Sequence, residues 1–133
     1  MAFQKVHFII IDDSRLDCFI TEKIIQNTGM SASIKSFLEA PKALEFIKDN
    51  PPPADGNKNI IITDIYMPLM NGFEFIEEFE KFPQEIVGNY TVYMLSSSIN
   101  ENDINRVANY KSVKQFLNKP LNSNVLISLL NPE

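Results

Sequence analysis

The stretch IIITDIYMP, residues 60–68, is the most informative part of this sequence. It begins as a run of β-branched apolar residues, which is typical of a buried strand, and the run stops at the carboxylate of Asp64. The position of a charged side chain at the end of a buried strand calls for an explanation. Ligands of open α/β sheets bind beyond the carboxyl ends of the strands, so Asp64 stands where a functional site is expected.

Apolar runs recur along the chain and are predicted as strands at 6–11, 33–38, 60–63, 91–95 and 113–117. Each run is followed by a stretch whose apolar residues recur at helical spacing. A right-handed crossover between parallel strands places its helix on one face of the sheet or the other. The alternation therefore predicts an α/β fold, a doubly wound five-stranded parallel sheet flanked by five helices.

Three of the predicted helices carry clear apolar stripes. Their residues are Leu16, Phe19, Ile20 and Ile24 in the first helix, Phe75, Phe79 and Phe82 in the third, and Ile104, Val107 and Ala108 in the fourth. We expect the phenylalanines to form an aromatic face on the sheet, since their spacing suits core packing better than cofactor binding. We also expect the residues of the fourth helix to point inward.

Length and composition restrict the class of protein. A chain of 133 residues is expected to form one domain, 1–133, with no output domain. No apolar run approaches the roughly 18 residues of a membrane span, and the N-terminus lacks a signal-peptide pattern, so we expect a cytoplasmic protein without a membrane partner. A net charge of −5 without a Lys/Arg cluster disfavours direct nucleic-acid binding.

Polar side chains follow the predicted strands at the edge where the carboxyl ends of parallel strands meet. They are Asp12, Asp13, Asp64, Ser96, Ser97, Ser98, Asn118 and Lys119. Singly, each has an ordinary explanation: Asp13 or the adjacent Ser14 can cap a helix, and the others can be solvated loop residues. Their joint occurrence at one edge of the sheet favours a functional site.

Acids that converge at short range need a compensating charge. Mg2+ prefers hard oxygen ligands and commonly binds through one or two carboxylates plus phosphate oxygens, which leaves one acid free to carry a phosphoryl group. Lys119 could neutralise that group from the opposite side. An aspartate carboxylate is a competent nucleophile toward phosphorus in such surroundings. These residues predict an aspartyl-phosphate site.

Four motifs occur in a characteristic order: IIIDDS at the first strand, IITDIYMPLMNG around Asp64, YMLSSS at the fourth strand and FLNKP at the fifth. In this order and at these spacings they resemble the receiver domains of two-component response regulators, chemotaxis regulators among them. The resemblance covers nearly the whole chain. It implies a flavodoxin-like sheet of strand order 2-1-3-4-5, in which the first and third strands are neighbours.

The resemblance implies a role for each matched residue. Asp64 would be the phosphorylation site, and Lys119 and Ser96 would bind the phosphoryl group. The Mg2+ ligands would be Asp12, Asp13, Asp64 and the backbone carbonyl of Tyr66, with Asp13 and Asp64 binding more directly than Asp12. A cis peptide bond is expected between Lys119 and Pro120.

The resemblance also implies phosphorelay signalling. A histidine kinase or phosphotransfer protein would supply the phosphoryl group, and the chain would catalyse only its own phosphorylation and dephosphorylation. Ser96 would move toward the phosphoryl group, which lets the switch residue Phe116 turn inward. The fourth predicted helix, fifth strand and fifth helix, roughly 99–131, would then bind a downstream protein.

Three other functions are compatible with parts of this sequence. A degenerate receiver would bind partners without being phosphorylated. A phosphatase of the haloacid dehalogenase type is disfavoured, because that family needs an acid where Tyr66 stands. A flavodoxin-like electron carrier is disfavoured because the acids after the first strand would repel its phosphate. We expect His7 to be a core residue and not a phosphorelay histidine, and Cys18 to be a packing residue and not a reactive thiol.

Overall fold

The computed structural model describes residues 5–53, 55–97 and 100–130. The strands are β1 (Val6–Ile11), β2 (Ser31–Phe37), β3 (Lys58–Thr63), β4 (Tyr90–Ser96) and β5 (Val113–Asn118). The helices are α1 (Arg15–Asn27), α2 (Ala40–Asp49), α3 (Gly72–Phe79), α4 (Gln84–Val87), α5 (Glu101–Val107) and α6 (Ser123–Leu130). The sequence predicts five helices, and the described part of the chain forms six, of which α4 is the additional one. This single turn buries none of its residues and so leaves no apolar periodicity in the sequence.

The sheet has the predicted topology. All strand pairs are parallel, and the order is β2-β1-β3-β4-β5. Ile11 at the end of β1 stands opposite Thr63 at the end of β3, and Ser96 at the end of β4 stands opposite Asn118 at the end of β5. The chain therefore leaves β1, β3, β4 and β5 along one edge of the sheet, where the polar residues follow.

A core lies on each face of the sheet. Along β1, Ile9 and Ile11 pack into one core, while Phe8 and Ile10 pack into the other. Residues on both sides of β1, β3 and β4 are buried, which agrees with a parallel sheet covered by helices on both faces. The edge strand β2 has no fully buried residue, and it begins two residues before the predicted strand.

The aromatic face of α3 is confirmed, although the helix is shorter than the periodic run. Phe75 and Phe79 are fully buried, with ring centroids 5.9 Å apart. Phe82 lies beyond the last residue of α3, yet its ring packs edge-on against Phe79 at 6.1 Å.

The buried stripes of α5 and α1 differ from the apolar stripes predicted from the sequence. In α5 only Val107 is buried, whereas Ile104 is 44% exposed and Ala108 is exposed. This helix has seven residues and packs beside the edge strand β5, so it can bury only a narrow stripe. In α1 the buried residues are Cys18, Thr21 and Ile25, which form a second helical stripe beside the apolar one.

The outer stripe of α1 remains exposed. Leu16 is 66% exposed, Phe19 57% and Ile20 37%. Among the described residues, no helix has the length and apolar character to cross a membrane.

Candidate functional site

The ends of two neighbouring strands bring three acids together. Asp12 and Asp13 follow β1, and Asp64 follows β3. One carboxylate oxygen from each lies within 4.8 Å of the other two. Asp12 and Asp64 are buried, while Asp13 is exposed. The site is thus a half-enclosed acidic pocket with one side open to solvent.

The turn after β1 fixes the first acid. The backbone N–H of Asp12 donates to the Phe37 carbonyl oxygen at 3.0 Å, and its Oδ1 accepts from the backbone N–H of Ser14 at 3.0 Å. Ser14 caps α1, since its Oγ accepts from the backbone N–H of Asp17 at 3.1 Å. Of the two candidate caps, Ser14 performs that task, and the carboxylate of Asp13 joins the acidic cluster.

The turn after β3 fixes Asp64. Its backbone N–H donates to the Ile11 carbonyl oxygen at 2.8 Å, and its Oδ1 accepts from the backbone N–H of Ile65 at 2.7 Å. Gly72 closes this turn by donating to the Ile65 carbonyl oxygen at 2.7 Å. A Cβ at Gly72 would overlap the Asp64 carbonyl oxygen and lie 2.8 Å from Cε of Met94. Only glycine therefore fits at residue 72 without displacing the acid.

Burial raises the pKa of Asp64 above its ordinary value. The positive charge of Lys119 opposes this shift, and the negative charge of Asp12 adds to it. The carboxylate of Asp64 is therefore less stable as an anion than a solvated aspartate, and additional positive charge in the pocket would stabilise it.

Lys119 supplies positive charge from the end of β5. Its Nζ lies 2.7 Å from Oδ2 of Asp12, 2.9 Å from Oδ2 of Asp17 and 3.2 Å from Oδ2 of Asp64. Burial alone would lower the pKa of Lys119, but hydrogen bonds to Asp12 and Asp17 and the surrounding negative charges raise it overall. The Lys119–Pro120 peptide bond is cis, as expected.

Asp17 is a site residue that the sequence interpretation missed. It lies in the first turn of α1, where an acid is ordinarily explained by the helix dipole. Its carboxylate instead binds a lysine 102 residues away in the chain. The only signal in the sequence is its place one helical turn after the Asp12–Asp13 pair.

Of the two expected switch residues, Ser96 lies at the same edge and Phe116 lies within β5. Ser96 is buried at the end of β4, and its carbonyl oxygen accepts from the backbone N–H of Lys119 at 3.0 Å. Phe116 is half-buried on β5 beside Met94, against the core. Ser97 is exposed, and Ser98 lies outside the described residues.

Tyr66 connects the loop after β3 to the start of α5. Its side chain is largely exposed, and its hydroxyl donates a hydrogen bond to Oδ2 of Asp103. The hydroxyl also accepts from Nδ2 of Asn100, the cap of α5, at 3.3 Å. Side-chain contacts thus link the loop that carries Asp64 to α5.

His7 and Cys18 lie outside the acidic pocket. His7 is partly buried and hydrogen-bonds Oγ of Ser33 and Oδ2 of Asp55, each at 2.7 Å, so it is a structural residue but not a core one. Cys18 is buried, as expected. Burial and the nearby negative charges, that of Asp12 foremost, raise the pKa of its thiol to about 11.

The acidic pocket has the donor chemistry of a hard-cation site. Asp12, Asp13 and Asp64 offer carboxylate oxygens, which suit Mg2+, and the exposed Asp13 leaves the cluster accessible to solvent. The thiol of Cys18 donates to the backbone carbonyl of Asp12 at 3.4 Å and is not aimed at the pocket as a ligand.

Sequence and structure comparisons point to one family. The family model described as the response regulator receiver domain matches residues 8–131. The two-component response regulator ORR6 of Oryza sativa subsp. japonica is 29% identical over 120 residues, which are 90% of this chain and 66% of that protein. The chain thus spans slightly less than two thirds of the length of this relative.

Two solved structures of response regulators are similar to this chain. A response regulator receiver protein from Dyadobacter fermentans superposes with a TM-score of 0.85 at 31% identity, covering 96% of each chain. A two-component response regulator from Cytophaga hutchinsonii gives 0.85 at 28% identity, covering 97% of this chain and 96% of that one. Because the family model matches nearly all of the sequence, this protein belongs to the receiver domains of two-component response regulators.

Proposed function

We propose that this protein accepts a phosphoryl group on Asp64, with Mg2+ in the acidic pocket, and relays a signal through the resulting change in shape. The observation that supports this proposal is the meeting of Asp12, Asp13 and Asp64 within 4.8 Å, together with Lys119 Nζ 3.2 Å from Oδ2 of Asp64. Phosphoryl transfer needs positioning and charge neutralisation above all, and this arrangement offers both.

The proposed reaction is an in-line displacement. A carboxylate oxygen of Asp64 forms a bond to phosphorus, and the bond between phosphorus and the leaving group of the donor breaks. The leaving group departs with the electron pair and takes a proton from solvent. Lys119 neutralises charge on the transferring oxygens, and Ser96 donates its hydroxyl to one of them. Hydrolysis by water would return Asp64 to the free carboxylate.

The metal would be held by carboxylate oxygens of Asp12, Asp13 and Asp64 and by the backbone carbonyl of Tyr66. Mg2+ would supply positive charge for the negative charge that develops on the phosphoryl oxygens. The burial of Asp64 supports this assignment, because a buried carboxylate without enough neighbouring positive charge is a poor anion.

The proposed switch involves Ser96 and Phe116. A phosphoryl group adds charge and strong acceptor oxygens, which would draw the Ser96 hydroxyl inward and let Phe116 move further into the core. The face made by α5, β5 and α6 would change shape and bind a downstream protein. Exposed Ile104 on α5 and exposed Val125 and Ile127 on α6 supply apolar area for such a contact.

The phosphoryl donor would be a histidine kinase or a phosphotransfer protein. Leu16, Phe19 and Ile20 of α1 form an exposed apolar patch on the helix that also carries Asp17, next to Lys119. A donor that docked there would have its phosphohistidine close to Asp64. The cytoplasmic location and the lack of nucleic-acid and membrane partners stay predictions.

Intact-mass measurement after incubation with acetyl phosphate and Mg2+ tests the proposal. We expect a gain of one phosphoryl group in the wild-type protein and in Asp49→Asn, a control that changes an exposed aspartate of α2. We expect no gain in Asp64→Asn. Absence of a gain in every variant would favour a degenerate receiver, and a gain that persists in Asp64→Asn would place the acceptor elsewhere.

A further inference from the structure

We propose that Asp17 competes with the phosphoryl group for Lys119 and thereby weakens binding of the phosphoryl group at Asp64. The inference rests on the proposed function, and it concerns a residue outside the set that the receiver motifs assign. Asp17 would be a positioning residue, because it acts through Lys119 and does not itself touch the phosphoryl group.

The ammonium group of Lys119 is shared among three acids. An ammonium group has three N–H donors, and three carboxylates surround it, those of Asp12, Asp17 and Asp64. The contact to Asp17, at 2.9 Å, is shorter than the contact to Asp64, at 3.2 Å. The lysine that would stabilise a phosphoryl group on Asp64 is therefore held more closely by an acid on another element.

Asp17 is anchored through its backbone. Its backbone N–H is bound to Oγ of Ser14, and the adjacent Cys18 is buried, so the first turn of α1 is fixed. With its backbone fixed, Asp17 could follow the ammonium group only by rotation of its side chain if Lys119 shifted toward a phosphoryl oxygen. Such a shift would lengthen the contact with Asp17, and the free energy of that contact opposes it.

The charge of Asp17 lies outside the cluster of three acids. Asp12, Asp13 and Asp64 form the group whose oxygens meet within 4.8 Å, and Asp17 is not one of that group. A cation held by those three oxygens would compensate their charge more than that of Asp17. Asp17 depends on Lys119 for compensation, and if Lys119 moved toward a phosphoryl oxygen the carboxylate of Asp17 would repel that anion. Its side chain is 38% exposed, so solvent reduces this repulsion without removing it.

Asp17→Asn removes the charge while keeping the size of the side chain and an oxygen that can accept from Lys119. We expect this variant to bind a phosphoryl group about three- to tenfold more tightly, as suits one unit charge in a partly solvated pocket. Glu22→Gln is the matched control. It removes one negative charge from the same helix, and Glu22 accepts a hydrogen bond from Ser36 instead of contacting Lys119.

The experiment titrates trifluoroberyllate, a stable mimic of the phosphoryl group, into each protein at saturating Mg2+ and follows backbone amide resonances by NMR. Unchanged spectra away from the pocket show that each variant is folded. A purely structural role for Asp17 would lower thermal stability but would not tighten binding of the mimic.

Tighter binding in Asp17→Asn, with Glu22→Gln unchanged, supports the inference. Equal or weaker binding in Asp17→Asn overturns it and leaves the proposed function intact. Equal tightening in both variants also overturns it, because a general charge effect would then suffice. If neither the wild-type protein nor Asp17→Asn binds the mimic, the proposed function fails as well.

Discussion

Lys119 and Asp12 form an ion pair with Nζ and Oδ2 2.7 Å apart, although they follow β5 and β1, which β3 and β4 separate in the sheet. Both side chains are mostly shielded from solvent, with 13% and 4% of their surface exposed. The lysine reaches along the edge of the sheet and contacts acids at three places. The same side chain thus holds the site together and would neutralise a phosphoryl group.

Replacing Lys119 with methionine should therefore destabilise the protein. Loss of one partner from a buried ion pair leaves an uncompensated charge, and we expect a loss of about 3–5 kcal/mol in the free energy of unfolding. Urea denaturation in the presence of a chelator measures this loss. Mg2+ should restore more stability to Lys119→Met than to the wild type, because the metal takes over the missing positive charge.

The matched control is Lys81→Met. Lys81 pairs with Glu78 at 2.8 Å on the exposed surface, where an ion pair contributes about 1 kcal/mol at most. A loss in Lys119→Met as small as the loss in this control would contradict the structural role given to Lys119.

Gly72→Ala should displace Asp64. The added Cβ would overlap the Asp64 carbonyl oxygen, and overpacking of this kind costs about 1–3 kcal/mol. We expect both a lower melting temperature and a loss of phosphoryl incorporation from acetyl phosphate. Gly56→Ala is the control, because an added Cβ at residue 56 would meet no neighbouring atom. The φ of +82° at this residue alone costs alanine about 1–2 kcal/mol.

The two glycine variants should therefore lose similar stability and differ in phosphorylation. Full incorporation in Gly72→Ala would mean that the turn after β3 tolerates the added methyl group, which would count against the close fit described at Asp64.

Cys18 should be unreactive in the folded protein. Burial and the nearby negative charge raise the pKa of its thiol from 9.0 to about 11, which lowers the thiolate fraction near pH 8 roughly a hundredfold. Alkylation by iodoacetamide should be slow in buffer and fast in concentrated urea. Equal rates in the two conditions would show that the thiol is exposed in the native state.

The carboxyl group of Asp55 should have a pKa below its ordinary value. The hydrogen bond with His7, together with one from the backbone N–H of Asn57, lowers the pKa of Asp55 from 3.8. Its contribution to stability is therefore present above pH 3.8 and is lost as the pH falls through the lower, folded pKa. NMR titration of the Asp55 carboxyl carbon measures this shift.

His7→Phe is the matched variant for that titration, because it removes both ring nitrogens and keeps an aromatic side chain on β1. The pKa of Asp55 should return toward 3.8 in this variant. A midpoint at or above 3.8 in the wild-type protein would show that the His7–Asp55 contact is not formed in solution.

Much of the fold could be predicted because β1, β3 and β4 are nearly continuous apolar runs, as buried parallel strands must be. Apolar periodicity alone did not predict the approach of Asp12 and Asp64, because only the resemblance to receiver domains implied that the first and third strands are neighbours. In contrast, Ile104 is exposed because α5 is short and packs beside an edge strand, which the sequence does not indicate. The helix α4 has no buried residue, so it leaves no apolar periodicity in the sequence.

The contact between Asp17 and Lys119 could not be predicted for a different reason. Which of several acids a long, flexible lysine side chain pairs with depends on the rotation of α1 relative to the sheet. That rotation is fixed by the burial of Cys18, Thr21 and Ile25, whereas the more apolar stripe suggested by Leu16 and Phe19 remains exposed. Apolar periodicity alone does not distinguish two stripes on one helix.

The central claim is that Asp64 carries the phosphoryl group. Borohydride reduces an aspartyl phosphate to homoserine, so treatment of the protein after incubation with acetyl phosphate and Mg2+ marks the acceptor, and peptide mass spectrometry locates it. We predict homoserine at residue 64 and unmodified aspartate at residues 12, 13 and 17. Homoserine at one of those three positions, or unmodified Asp64 in a protein that has gained a phosphoryl group, would contradict the claim.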